Sequence, residues 1–462
     1  MTVSFLLTAP ATGGTAHGAA GCEQGVGRTT MVRRSLGLVA LLAPVGLYYW
    51  FVLRYGVNVP FQDTWNGTLP VLHEYVQGHL TLAALWQPHN ENRMLVPNLI
   101  LVLLDSLTRM NQLVDMLISA TMLVAACGVI CWLAVHVHRM SLIWLVPCPA
   151  VMLAVLQTEN ALWAFQLAWS LIVLLTAVTL TLLEIGRDRW LFLLLACATA
   201  GLASFSSLQG LLIWPVGLAY GLASGWRFRP AGVWVAFGIA CLAVYWYHFG
   251  PVHPASDPLA MLSQPVTSIR FMLILIGAPF VYHRLAMGIV VVCIAGATAF
   301  LALRTHSWRR CRVGFALIAT SLLFDVLVTA GRGNLGLAQA TASRYSTYNL
   351  MLLVGIYLVA VAASGPLRRL TDGDQVRDER PWGWGLVAIC ACAMAWQFSM
   401  SLPYGLEQGE GFSARLSQGA ALLRDYRTSS ASALASDLFS SEGAYIEHWA
   451  PTLEGYHWAP FS

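Results

Sequence analysis

Long uninterrupted apolar runs, each closed by a short segment bearing arginine, recur along most of this chain. A run of roughly 20 apolar residues crosses the hydrocarbon core of a bilayer as a helix, because only an internally hydrogen-bonded backbone is tolerated there. A soluble domain carries roughly 25% charged residues. Here 57% of 462 residues are hydrophobic and 10% charged, more apolar surface than one water-soluble core can hide. The sequence therefore predicts an all-α fold, a polytopic transmembrane helical bundle.

Arginine sets the topology. All 26 basic residues are arginine, and cytoplasmic loops are enriched in it. Arg33 and Arg34 precede a first span at 35–53, which makes 1–34 a cytoplasmic tail. Ten more spans follow at 113–135, 142–156, 167–185, a hairpin within 190–223 that supplies two, 233–249, 285–303, 313–330, 350–363 and 384–400. That makes about eleven spanning helices in a membrane domain of 35–400, with an outer loop at 54–93. Two apolar stretches are too short to span comfortably. The stretch 95–107, with Pro97 and Asp105, reads as interfacial or half-inserted, and 271–281 as re-entrant. Residues 401–462 form an extracytoplasmic tail. Sixteen arginines then fall inside and ten outside. The expected location is the inner (plasma) membrane, multi-pass, with the N-terminus cytoplasmic.

Several classes are disfavoured. No basic stripe with interleaved aromatics occurs, so nucleic acid is not an expected partner. The ten cysteines lie mostly inside apolar runs, without zinc or disulfide-framework spacing. No phosphate-cradling, dinucleotide or zinc-protease motif stands out.

With this topology five polar segments share the outer side. They are Phe61-Gln62-Asp63-Thr64-Trp65, His89-Asn90-Glu91-Asn92-Arg93, the stretch from Glu159 to Gln166, the stretch from Ser204 to Gly210, and Thr341-Ala342-Ser343-Arg344-Tyr345. Polar groups at membrane depth are costly and persist where they face a cavity or a partner. One shared wet cavity is the expectation.

The acid soon after the first span, followed by an Asn-Glu-x-Arg segment, resembles the GT-C superfamily of membrane glycosyltransferases. More closely, the chain is similar to uncharacterised bacterial multi-pass proteins that pair "DxW" with "HNExR" and carry "ENxLWxFQ" and a later "SRY". These stand here at Asp63–Trp65, His89–Arg93, Glu159–Gln166 and Ser343–Tyr345. The resemblance implies a GT-C-like bundle that transfers a hexosyl or pentosyl group from a polyprenyl-phosphate carrier to a glycan or lipid acceptor outside the cytoplasm. The superfamily often has paired acids, whereas Gln62 precedes Asp63 here. The need for a divalent metal stays open.

Residue types agree with that chemistry. An inverting transfer needs a base for the acceptor proton, and Asp63 is the candidate catalytic residue. Its other reading is a helix N-cap. A phosphate leaving group needs cations, and Arg93 and Arg344 have the bidentate geometry. Either could instead pair with lipid headgroups, Glu91 or Glu159. His89, Asn90, Glu91, Glu159, Gln166 and Tyr345 complete the expected substrate-binding set, with His89 and Glu91 equally readable as a structural network. Trp65, Trp86 and Trp163 suit sugar stacking or an interfacial belt. Asp325, inside a span, calls for a buried partner such as arginine or tyrosine. An amphipathic stretch at 416–426 is placed to cover the cavity mouth. The alternatives are a transporter or flippase of a lipid-linked glycan, which internal repeats and midplane polar groups would mark, and a non-catalytic membrane protein.

Overall fold

The computed structural model describes residues 20–186, 189–249, 260–364, 381–439 and 443–461. Most of the N-terminal tail, Arg187, and the segment carrying Arg368, Arg369, Arg377 and Arg380 lie outside the described residues.

Helix α1 (Ala20–Tyr55) is apolar from Gly37 onward. The chain then folds back on itself through α2 (Thr68–Val76), α3 (Leu82–Trp86), a ribbon of β1 (Pro88–His89) and β2 (Asn92–Arg93), and α4 (Leu95–Thr108). Helix α5 (Gln112–His138) follows, its first turn capped by Asn111, whose side chain accepts from Leu113 N. Next come α6 (Pro147–Met152), α7 (Thr158–Leu162), α8 (Leu167–Ile185), α9 (Trp190–Ser204), α10 (Ile213–Ala223) and α11 (Phe228–Trp246). After α12 (Ala260–Ser263) and α13 (Pro265–Gly277) the chain enters α14 (Arg284–Arg304), α15 (Arg312–Arg332) and α16 (Ser346–Ser364). It ends with α17 (Pro381–Arg424), α18 (Ala431–Leu438) and α19 (Gly443–Gly455).

Among the described residues eight helices are long and apolar enough to cross a membrane: α1, α5, α8, α11, α14, α15, α16 and α17. The bundle is that of a membrane protein. The other three expected spans are shorter. The third breaks after Met152, where Gln157 Nε2 donates to Met152 O and takes the carbonyl that a continuing helix would use. The fifth and sixth are α9 and α10, of 15 and 11 residues. The stretch expected at 95–107 is α4, and its Asp105 is fully buried where α4 packs against α5. The stretch 271–281 belongs to α13 and the 3-10 turn Ala278–Phe280.

Helix α16 is the axis of the bundle. Its spanning window is 94% buried, against 17–61% for the others. A helix with no solvent- or lipid-facing side is apolar all round, and α16 is packed by α15, α17, α14 and α6. Its polar groups are matched across the α15 seam. Ser321 Oγ donates to Tyr348 O at 2.6 Å, and Asn349 Nδ2 donates to Asp325 Oδ1 at 3.0 Å. The buried partner of Asp325 is thus an amide, not the arginine or tyrosine expected.

The C-terminal segment is not a loose tail. Helix α17 has 44 residues, about 66 Å at 1.5 Å per residue, roughly twice the thickness of the hydrocarbon core. Its far half joins α18 and α19 over the folded excursion between α1 and α5. Together they bury a second core that includes Trp65, Leu69, Leu72, Leu416, Leu423, Leu438 and Ile446. Leu416 and Leu423 are the buried side of the stretch read as amphipathic.

Candidate functional site

All five polar segments meet in one cavity of about 1420 Å³. Its wall holds Gln62 and Asp63, His89 to Asn92, Glu159, Trp163 and Gln166, Ser207 to Gln209, and Thr341 to Ser346. Segments nearly 280 positions apart in sequence are therefore neighbours in space.

Asp63 sits in a 3-10 turn, Gln62–Thr64, anchored by the buried Thr64 and Trp65. Gln62 has φ 47, a left-handed conformation that costs a residue with a Cβ. Gly67 closes the turn by donating to Asp63 O, and a Cβ there would stand 2.6 Å from that oxygen and 2.7 Å from the Phe165 ring. Asp63 Oδ1 lies 3.6 Å from His89 Nε2, within ion-pair reach and beyond hydrogen-bond length. The His89 ring packs on Phe165, with centroids 5.1 Å apart.

The ribbon β1–β2 carries His89 and Asn92 paired across a two-residue turn, Asn90 at φ 51. Asparagine tolerates that conformation better than most residues. Asn92 Oδ1 accepts from Ser207 Oγ and Leu208 N, which ties the ribbon to the α9–α10 turn. Glu91 pairs with Arg332 at 2.5 Å, at the end of α15.

Arg93 does not line the cavity. It is 1% exposed, and its guanidinium donates to three main-chain carbonyls, Tyr245 O, Trp86 O and Tyr247 O. It stacks on Trp86 and Phe249. The residue fastens the ribbon to the end of α11, and its buried guanidinium faces main-chain carbonyls and not the cavity, in contrast to the phosphate-binding role expected for it.

Glu159 and Arg344 lock two distant motifs together. Arg344 Nη1 donates to Glu159 Oε1 at 2.8 Å, while Ser343 Oγ and Arg344 N both donate to Oε2. Asn160 Nδ2 completes the link by donating to Arg344 O and Thr347 Oγ1. Asp63 is close enough to act electrostatically on Arg344. The Arg344 charge is thus already balanced. Tyr345 is buried against Trp169 and Phe324 at the cavity floor.

Sequence reasoning missed three cavity arginines: Arg284, Arg332 and Arg415. A signal existed, because each lies on the side where arginine is scarce. Arg284 differs from the rest. Among the described residues its side chain has no hydrogen-bond or ion-pair partner, and its Nε is buried. A strained elbow delivers it. Tyr282 N donates to Phe280 O at 2.6 Å, closing a rare γ-turn with Val281 at φ 66, ψ −54, and His283 follows at φ 51. A β-branched residue at positive φ is an outlier that surrounding structure must hold in place. Arg284 then opens α14, where the helix N-terminus adds its positive end.

Further buried polar atoms around the cavity lack partners: Trp163 Nε1, Gln166 Oε1, Gln209 Nε2 and His89 Nε2. Buried polar atoms are nearly always hydrogen-bonded, so a cluster of exceptions points to a ligand or water that both donates and accepts. Trp246 and Leu335, both exposed, carry the apolar wall of the cavity to the outer surface of the bundle. Trp65 is wholly buried in the second core, whereas Trp163 lines the cavity. From above, α17 contributes Glu407, Gln408, Phe412 and Arg415. Among the described residues no three histidine, cysteine, aspartate or glutamate side chains are grouped to hold a metal ion.

Comparison with protein-family models, with curated proteins and with solved structures finds no match to this chain. The class that fold and site define is a helical membrane protein with a large cavity, rimmed by polar segments, among its described residues.

Proposed function

We propose that the chain is a GT-C-like membrane glycosyltransferase. It moves a sugar from a polyprenyl-phosphate carrier to a glycan or lipid acceptor at the extracytoplasmic face of the plasma membrane. The observation that carries this reading is the meeting, in one cavity, of a carboxylate, an unpaired arginine and a set of unpartnered donors and acceptors. A sugar offers hydroxyls that satisfy both kinds of group. An isoprenoid suits the apolar wall that leads past Trp246 and Leu335 to the bundle surface.

In this reading the Asp63 carboxylate takes the proton of the acceptor hydroxyl, and His89 beside it steadies the charge. The acceptor oxygen bonds to the anomeric carbon as the bond from that carbon to the carrier phosphate breaks. The electron pair leaves with the phosphate, which Arg284 and the N-terminus of α14 hold. The pairs Glu91–Arg332 and Glu159–Arg344 keep the wall rigid, so Arg344 acts through position more than through free charge. The arginine-rich far end of the bundle supports an outward-facing cavity.

The test is transfer from a polyprenyl-phosphate sugar by purified protein. Asp63→Asn is expected to lose about 10²–10⁴-fold in rate by removal of the base, and Arg284→Ala about 10²–10³-fold by loss of leaving-group stabilisation. Arg344→Ala should lower both rate and thermal stability. Full activity in folded Asp63→Asn and Arg284→Ala proteins removes the proposed site.

A further inference from the structure

A second cavity, of about 610 Å³, lies at the opposite end of the bundle. Helix α8 joins the two. Gln166, just before it, lines the first cavity and Gly186, just after it, the second. Its 19 residues span about 28 Å, close to the hydrocarbon thickness of a bilayer. The second cavity therefore sits at the other membrane surface.

Its described lining carries two arginines. Arg189 and Arg227 come from two separate turns, and among the described residues neither side chain has a hydrogen-bond or ion-pair partner. No carboxylate belongs to the described lining. The nearby Glu184 already accepts from Nε and Nη2 of Arg312 and from the Tyr220 hydroxyl. Arg189 and Arg227 are also the N-cap residues of α9 and α11, and neither provides a side-chain acceptor for the free amides of its helix. Two helix N-termini and two guanidinium groups thus border one space. Ser224 adds a buried hydroxyl without a partner. The floor is apolar, formed by Leu182, Leu183 and Leu193. Trp190, 53% exposed, and Phe228, 97% exposed, stand beside it where a bilayer interface would lie.

We infer that this cavity binds the phosphate headgroup of an anionic glycerophospholipid from the adjacent leaflet. Arginines and helix amides meet the phosphate, Ser224 meets a glycerol or phosphate oxygen, and the leucine floor with Trp190 and Phe228 meets the acyl ends. A soluble phosphate ester would match the charge but leave the apolar floor and the exposed aromatics without a counterpart.

Native mass spectrometry of the full-length protein, released from mixed phosphatidylglycerol–phosphatidylcholine bilayers, tests this. The wild type should retain phosphatidylglycerol in preference. Arg189→Gln with Arg227→Gln should reduce that preference roughly 30-fold, given two interfacial arginines. Arg309→Gln with Arg310→Gln, which removes two charges from the same end outside the cavity, should leave it unchanged. Should the first double variant not fold, Ser224→Asp, which sets a negative charge against the phosphate and keeps both arginines, must produce the loss. Equal retention of the two lipids by the wild type overturns the site. So does undiminished preference in the variants that fold, or equally tight binding of glycerol phosphate alone.

Discussion

Three arginines show how position decides what a side chain can do. Arg93 and Arg344 share residue type and motif context, yet Arg93 is closed off by carbonyls and Arg344 is neutralised by Glu159. Arg284, with no motif around it, is the one whose side chain has no partner among the described residues. Lysine cannot replace Arg93, because a single ammonium cannot reach three carbonyls set in a planar fork. Arg93→Lys is expected to lower stability by about 2–3 kcal/mol through unsatisfied buried carbonyls, read as a lowered melting temperature in detergent. An unchanged melting temperature would mean that the clamp contributes nothing. Arg284→Ala should do the reverse, sparing stability while removing transfer.

At the level of elements, close approach matters more than propensity. Helices α13 and α14 touch so tightly that a Cβ on Gly288 would stand 1.8 Å from Leu273 O, and one on Gly277 1.9 Å from Arg284 O. Both obstacles are backbone and cannot rotate away. Gly288→Ala should therefore part the two helices, cost on the order of 1–3 kcal/mol, and shift the elbow that aims Arg284. The expected result is a lower melting temperature together with slower transfer. Loss of neither would show that the helices can separate freely there. Helix α17 meets a similar limit, since a Cβ on Gly405 would lie 2.7 Å from Leu156 N. That contact seats the helix so that Glu407 to Arg415 reach the cavity.

On the scale of the whole molecule, the C-terminal helices make the excursion between α1 and α5 a folded unit rather than a loop. Leu416, Leu423, Leu434, Leu438, Ile446 and Leu453 are all almost fully buried against it, and Ala459 N donates to Arg109 O. Removal of everything after residue 427 should expose that core. The expected outcome is rapid cleavage by a non-specific protease between 56 and 94, with the membrane helices still protected. Unchanged protection of 56–94 would show that the excursion folds without its cover.

The apolar periods and the arginine spacing were enough to read a helical membrane bundle, because bilayer thickness acts on each segment locally and leaves its mark in consecutive residues. They were also enough to group the five polar segments, since a polar residue beside an apolar run is conspicuous wherever its partner lies. Length misled where a helix ends for a tertiary reason, as at Met152, whose carbonyl is taken by Gln157. It misled again in α17, whose polar half is stabilised by a cover made of other segments. The pairings could not be read at all. Glu91 finds Arg332 across 241 positions and Glu159 finds Arg344 across 185, and no local rule selects one arginine among many over such distances. Which cation is left unpaired is decided only when the folded chain has assigned every carboxylate, because charge balance in a cavity belongs to the assembled wall and not to any segment of it.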